Sequence, residues 1–203
     1  MTAQASVPRA PVTLALGRVS ELYPLAERLM LSPAEVRRAA GFGALGRRQQ
    51  YLAGRWLLRQ LCGLTVAGSP ADWSLNAEGV PAARHKRGYP APFLSLAHSG
   101  NWVVGTAAAD AVAGVDLERL GTQRDWAALL RRHGQRVPPR RKAKEAAFLR
   151  YWTAHEAAIK AGRSSPVRHF DAEGVSGAVQ AARGQALRVR FLGPPPRPWH
   201  LEP

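Results

Sequence analysis

A chain of 203 residues is long enough for one globular unit or for two small, tightly packed halves. Its 46% hydrophobic content fits a soluble folded protein, and no run approaches the roughly 20 apolar residues of a membrane-spanning helix, which excludes disordered and membrane-embedded classes. Twenty-nine Lys and Arg against fourteen Asp and Glu give a formal charge of +15, a surface suited to polyanions, phosphorylated small molecules or acidic protein partners.

Most of the excess charge is arginine, whose planar fork can grip phosphate in a bidentate manner. The opening stretch MTAQASVPRAPVTLALGR lacks the basic start and apolar core of a secretory signal. A single cysteine, Cys62, rules out an intrachain disulfide and agrees with a reducing compartment. The expected location is cytoplasmic.

In chain order, residues 12–19 (VTLALGRV) alternate as a first strand does. LSPAE then supplies a helix start, with Ser32 as N-cap, Pro33 at the first helical position and Glu35 closing a capping box. A second helix is expected from about Arg47 to Cys62, where Tyr51, Leu52, Leu58 and Leu61 share a face. After a Pro/Gly-rich stretch, FLSLAHSG and WVVGTAAA read as two short strands around a turn, and 112–118 as another. Residues 125–132 read as a short helix, RHGQRVPPRRKAK as an exposed basic loop, and Lys144 to Ala161 as a stronger helix. The end alternates again (ALRVRFL) before GPPPRPWHLEP, whose prolines predict an extended tail. Helices and strands mix without regular alternation, so the expected fold class is α+β.

Three familiar patterns fail. GFGALG at 41–46 follows a helix instead of a strand and has no acid about 20 positions on, so its glycines separate two helices. His155-Glu156 begins like a zinc-protease helix, but Ile159 stands where the second histidine belongs. Cys62 sits in an apolar helix, a core position rather than a nucleophile.

One constellation survives. Asp116 and Glu118 in VAGVDLERL lie two apart on a strand, so both carboxylates share a face and Val115 and Leu117 the other. A hard divalent cation relieves the repulsion of such a pair, and Mg²⁺ takes one or two carboxylates together with waters and substrate phosphate. A solvated strand face reads the same way. In WTAHEAAIKA, Trp152, Glu156 and Lys160 recur on one helical face, where Glu156 and Lys160 also read as a plain surface ion pair. His98 sits in a Ser-Gly turn, LSLAHSGNW.

Taken together and in this order, AHSG at 97–100, GVDLE at 114–118 and WTAHEAAIK at 152–160 resemble the motifs of the 4'-phosphopantetheinyl transferase superfamily, in particular its longer, monomeric type that activates peptide and polyketide synthases. RRQQYLAGRWLLRQL looks like that family's first helix, and the resemblance runs from about Ser32 to Gly162. It implies an α+β pseudo-dimer of two similar halves with the active site between them: 1–113 carrying coenzyme A-binding elements, and 114–203 the metal-binding and catalytic ones. By the same resemblance, Asp116, Glu118 and Glu156 are Mg²⁺ ligands. A carrier-protein serine attacks the β-phosphate of coenzyme A and 3',5'-ADP leaves. Glu156, or a water held by the ion, accepts the serine proton, and Lys160 stabilises or protonates the departing phosphate. His98 contacts coenzyme A phosphate, Ser99 assists through its turn, and Arg47, Arg48 and Arg55 lie near the nucleotide and its 3'-phosphate. The implied partners are coenzyme A and an acidic apo carrier protein, steered by the basic surface.

The chain departs from the pattern in four places. His155 replaces a lysine, Val80 stands where a basic residue is expected (Arg84, Lys86 or Arg87 being substitutes), Ala97 replaces a serine, and 126–148 is arginine-rich and lacks an F-x-x-x-E pattern. The metal acids are intact, so activity is expected, with weaker coenzyme A affinity or a narrower choice of carrier. Two other readings stand beside it: a degenerate member that binds carrier or coenzyme A without turnover, and a basic nucleic-acid-binding module. No helix-turn-helix, RNA-recognition or zinc pattern supports the last.

Overall fold

The computed structural model describes residues 9–28, 31–162 and 165–202. The start of the stretch read for a secretory signal, residues 1–8, lies outside them. In chain order the elements are β1 (Val12–Arg18), α1 (Val19–Ala26), α2 (Pro33–Ala40), α3 (Leu45–Thr65), β2 (Trp73–Leu75), β3 (Ala83–His85), β4 (Phe93–Ser99), β5 (Trp102–Ala108), β6 (Gly114–Arg119), α4 (Trp126–Arg132), α5 (Arg141–Ala161), β7 (Val167–Ala172), β8 (Val175–Gln180), β9 (Leu187–Phe191) and β10 (Trp199–Leu201). The class is α+β, as expected. No helix among the described residues is long and apolar enough to cross a membrane.

Two four-stranded sheets carry the fold, ordered β4-β5-β1-β9 and β10-β7-β8-β6. They have the same local connectivity. In each, a first strand (β1 or β6) is followed by helices and then by a hairpin (β4–β5 or β7–β8), whose second strand pairs antiparallel with the first. The C-terminal segment then visits both sheets. β9 adds parallel to β1, and β10 adds antiparallel to β7. The proline-rich tail is therefore not simply extended: Trp199–Leu201 pairs with Phe170–Ala172, and Trp199 packs on Phe170 and Phe191.

The layers run helix, sheet, sheet, helix. Leu57, Leu58 and Leu61 of α3 bury against Ala15, Val103 and Ala107 on the outer face of the first sheet. Between the sheets, Leu14, Leu16, Trp102 and Val104 meet Val115, Leu117, Phe170 and Val179. Helix α5 covers the outer face of β6 and β8. It comes so close that a Cβ on Gly114 would collide with the Ala157 carbonyl and the Ala161 amide.

The sheets also meet along a seam of two edge strands. The amides of Val115 and Arg119 on β6 donate to the hydroxyls of Ser95 (3.2 Å) and Ser99 (3.0 Å) on β4. Two serines four apart thus satisfy two amides four apart, and Ala97 is buried between them in the same core as Leu117. Edge strands with unpaired amides invite non-specific pairing, and here serine side chains close that edge.

Local signals set the helix ends. Ser32 and Glu35 form the reciprocal capping box read from LSPAE. GFGALG separates α2 from α3, as its glycines suggested. Helix α5 begins at Arg141, so the basic stretch expected to be a loop through Lys144 gives its last residues to the helix.

Candidate active site

The hairpin β4–β5 and strand β6 bring two of the three motifs side by side, and α5 lays the third across them. On β6, Val115 and Leu117 face the inter-sheet core, while Asp116 and Glu118 face the other way. Helix α5 presents Glu156 and Lys160 to that face, one turn apart. Lys160 Nζ donates to Asp116 Oδ1 at 2.6 Å and to the Val115 carbonyl at 3.2 Å. Glu118 is held differently: Ser99 Oγ donates to its Oε2 at 2.9 Å while accepting the Arg119 amide.

The electrostatics describe one neighbourhood. Burial pushes the Asp116 carboxyl up to about 6; Lys160 opposes that rise, and the nearby charges of Glu118 and Glu156 add to it. His98 is shifted down, first by burial and then by Arg47, with Lys160 contributing as well. Its Nδ1 is buried without a hydrogen-bond partner among the described residues.

Residues His98 and Ser99 open onto opposite sides of β4. His98 lines a cleft of about 240 Å³ together with Arg38, Arg47 and Arg55 and the rings of Phe42 and Tyr51. Arg55 is buried beneath Tyr51, its guanidinium 5.0 Å from the ring centroid, and its Nη1 donates to the Asn76 carbonyl at 2.8 Å. Burial lowers its pKa, and its Nε has no partner among the described residues. Ser99 and Glu118 line a second cleft with Arg119, Arg124 and Trp126. Of the acids, Glu118 lines the second cleft, and Lys160, bonded to Asp116, is near enough to His98 for its charge to act there.

Not every residue singled out from sequence reaches this place. Arg48 is one position from Arg47, about 100° around the helix, and lines a separate groove with Glu27, Leu31 and Leu52. Sequence reasoning missed Arg38, Phe42 and Tyr51. Arg38 and Phe42 flank the end of α2, where periodicity gives no direction, while Tyr51 was assigned only to the core face. Arg119 and Arg124 were missed as well.

The four departures fall unevenly. Ala97 is buried toward the inter-sheet core, so a serine there would not face the His98 cleft. His155 stacks on Tyr151 on the outer face of α5, with ring centroids 5.8 Å apart. Val80 is 81% exposed on the loop beside the cleft, and of its substitutes Lys86 is paired with Asp72. In the arginine-rich stretch, Trp126 and Phe148 build a small core with Leu130 and Leu149.

Whether these residues suit a divalent cation can be judged from their chemistry. Among the described residues, no three His, Cys, Asp or Glu side chains converge closely enough to hold a metal ion by themselves. Asp116 is engaged by Lys160, and Glu118 by Ser99. The donor set nonetheless fits Mg²⁺. It is all carboxylate, the charges of Glu118 and Glu156 add to the rise of the Asp116 pKa, and Mg²⁺ needs only one or two protein carboxylates when phosphate and water fill the remaining positions.

No family model matches the chain. A curated protein, the 4'-phosphopantetheinyl transferase HetI of Nostoc sp., is 30% identical over 152 residues, covering 70% of this chain. The match spans 62% of that relative's own length.

Proposed function

We propose that this chain is a 4'-phosphopantetheinyl transferase of the longer type, transferring the phosphopantetheine arm of coenzyme A to a serine of an acidic apo carrier protein. One observation carries the reading. Residues from three separated motifs come together: Lys160 bonds Asp116, Ser99 bonds Glu118, Glu156 lies near enough to Asp116 to act on its charge, and His98 feels Lys160, with an arginine-lined cleft at His98 and a second cleft at Ser99. The similarity to HetI supports the same reading. The repeated strand–helices–hairpin connectivity supports a pseudo-dimer, its halves meeting near Ala113.

In this reading Arg38, Arg47, Arg55 and His98 bind the phosphates of coenzyme A, and Phe42 and Tyr51 offer faces to its base. Among the described residues, Nδ1 of His98 and Nε of Arg55 are buried without a hydrogen-bond partner, and in this reading they turn to ligand oxygens, His98 in its Nδ1–H tautomer. Asp116, Glu118 and Glu156 would hold Mg²⁺, which when bound neutralises charge on the diphosphate. The carrier serine approaches from the Ser99 side. Its Oγ forms a bond to the β-phosphorus as the anhydride P–O bond breaks, Glu156 takes the serine proton, and 3',5'-ADP departs. Lys160, already beside Asp116, turns its charge to the departing phosphate. Positioning and electrostatics carry most of such a transfer.

Release of 3',5'-ADP from coenzyme A, followed with and without an apo carrier, tests the reading. It expects release only when carrier and Mg²⁺ are both present. Coenzyme A binding with no release, for every carrier tried, would instead mark a degenerate binder.

A further inference from the structure

Among the described residues lining the arginine cleft, Glu78 is the one acid, and it also lines a neighbouring groove formed with Arg37, Arg38 and Gly41. The two spaces are divided by an ion pair, with Arg38 Nη1 3.6 Å from Glu78 Oε1. On one side stands Arg37; on the other are Arg47, Arg55 and His98. Among the described residues that line the two spaces, Glu78 alone is negatively charged.

The loop that carries Glu78 is firmly built. Asn76 Nδ2 donates to the carbonyls of Glu78 (2.6 Å) and Val80 (2.8 Å), and its Oδ1 accepts the Ala82 amide at 2.8 Å. Helix α3 anchors the same loop twice, through Arg55 to the Asn76 carbonyl and Tyr51 to the Ala77 carbonyl. The backbone of Glu78 is thus fixed at the cleft mouth, while its side chain is 70% exposed and free to swing outward. An ion pair this exposed contributes little to the fold, so opening it is easy. An arriving anion must still take Arg38 from a carboxylate already there.

We propose that Glu78 is a counter-anion gate: its carboxylate occupies the place of a ligand phosphate on Arg38 and sets how strongly charged an anion must be to enter the cleft. A multiply charged ligand, such as a nucleotide bearing several phosphates, displaces it. A weakly charged one does not, so the repulsive group serves selectivity. The nucleotide form of this proposal rests on the coenzyme A reading above; the gate itself requires only an anionic ligand.

The test is calorimetric titration of inorganic pyrophosphate and of 3',5'-ADP into wild type, Glu78→Gln, Arg38→Gln and the double variant, all at one ionic strength. Glu78→Gln should bind both probes about 3- to 10-fold more tightly, Arg38→Gln more weakly, and the gain from Glu78→Gln should fall below about 2-fold when Arg38 is already absent. Unchanged or weaker pyrophosphate binding by Glu78→Gln overturns the gate. So does an equal gain in the Arg38→Gln background, which would indicate general charge, and so does an absence of pyrophosphate binding by either wild type or Glu78→Gln. Pyrophosphate binding that follows the expected pattern while 3',5'-ADP does not bind would sustain the gate and contradict the coenzyme A reading.

Discussion

Lys160 and Asp116 join helix α5 to strand β6: Nζ lies 2.6 Å from Oδ1 and 3.2 Å from the Val115 carbonyl. Asp116 is 7% exposed, and its carboxyl has a second oxygen and two acidic neighbours. Lys160 is therefore the group that makes a buried carboxylate tolerable in a cluster of like charge. Replacing it with Met should leave that carboxylate without its partner and destabilise the protein by about 1–3 kcal/mol. Urea unfolding measures that loss. Carrier modification should fall by roughly 10²-fold or more if Lys160 also meets the leaving phosphate.

Asp116 also predicts a pH dependence. Its folded carboxyl titrates near 6, above the roughly 3.9 of an unfolded chain, so the folded state binds the proton more tightly. The stabilising contribution of that proton is complete below about pH 4 and is lost as pH rises through about 6, a swing on the order of 3 kcal/mol. The stability difference between wild type and Asp116→Asn, measured without divalent cations, should therefore move against wild type between pH 4 and 7. A difference that stays flat would show that the carboxyl is not shifted.

Glu35 carries the opposite sign. Burial pushes its carboxyl up, but Arg59, at 3.0 and 2.7 Å from its two oxygens, and the Ser32 amide together pull it below its ordinary value. The pair fastens α2, and with it Arg38, onto α3. Its stabilisation is present above about pH 4.3 and lost as pH falls through the lowered folded pKa. Arg59→Met, which strands the buried carboxylate, should cost about 3–5 kcal/mol at pH 7. That cost should shrink in acid, as read from denaturant midpoints at both pH values.

Gly114 and Gly46 form a contrasting pair. Any Cβ at Gly114 meets the α5 backbone, whereas one at Gly46 meets nothing within 4 Å. Gly114→Ala should displace α5 from β6, lowering stability by about 1–3 kcal/mol and loosening the Lys160–Asp116 contact. Gly46→Ala, in the first turn of α3, should be neutral or stabilising by up to about 1 kcal/mol. Thermal unfolding of the two variants distinguishes them directly.

The sequence made legible those elements whose cause is local. The Ser32 capping box, the α3 face and the β4–β5 hairpin follow from nearby residues, and the shared face of Asp116 and Glu118 follows from strand period alone. Elements defined from a distance were not legible. Strand β8 is buried along its whole length because α5 covers one face and the other sheet the opposite one, so VSGAVQ shows no alternation. Strand β10, just after the prolines of the tail, exists through pairing with β7, and α1 contains Pro24. Within the site, the acids could be named from motif order. The arginines were named only in part: Arg47 and Arg55 line the His98 cleft, but Arg48 turns to another groove and Arg38 arrives from α2.

Under the proposed function, the gathered acids catalyse transfer from coenzyme A to a carrier serine. Mass spectrometry of several apo carrier proteins, incubated with coenzyme A, Mg²⁺ and either wild type, Asp116→Ala or Glu156→Ala, reads that transfer on the carrier itself. Wild type should give a phosphopantetheinyl mass gain on the carrier serine, lost in both variants while their folds are retained. A wild type that binds coenzyme A but modifies no carrier in a broad panel, or an Asp116→Ala variant with wild-type rates, would contradict it.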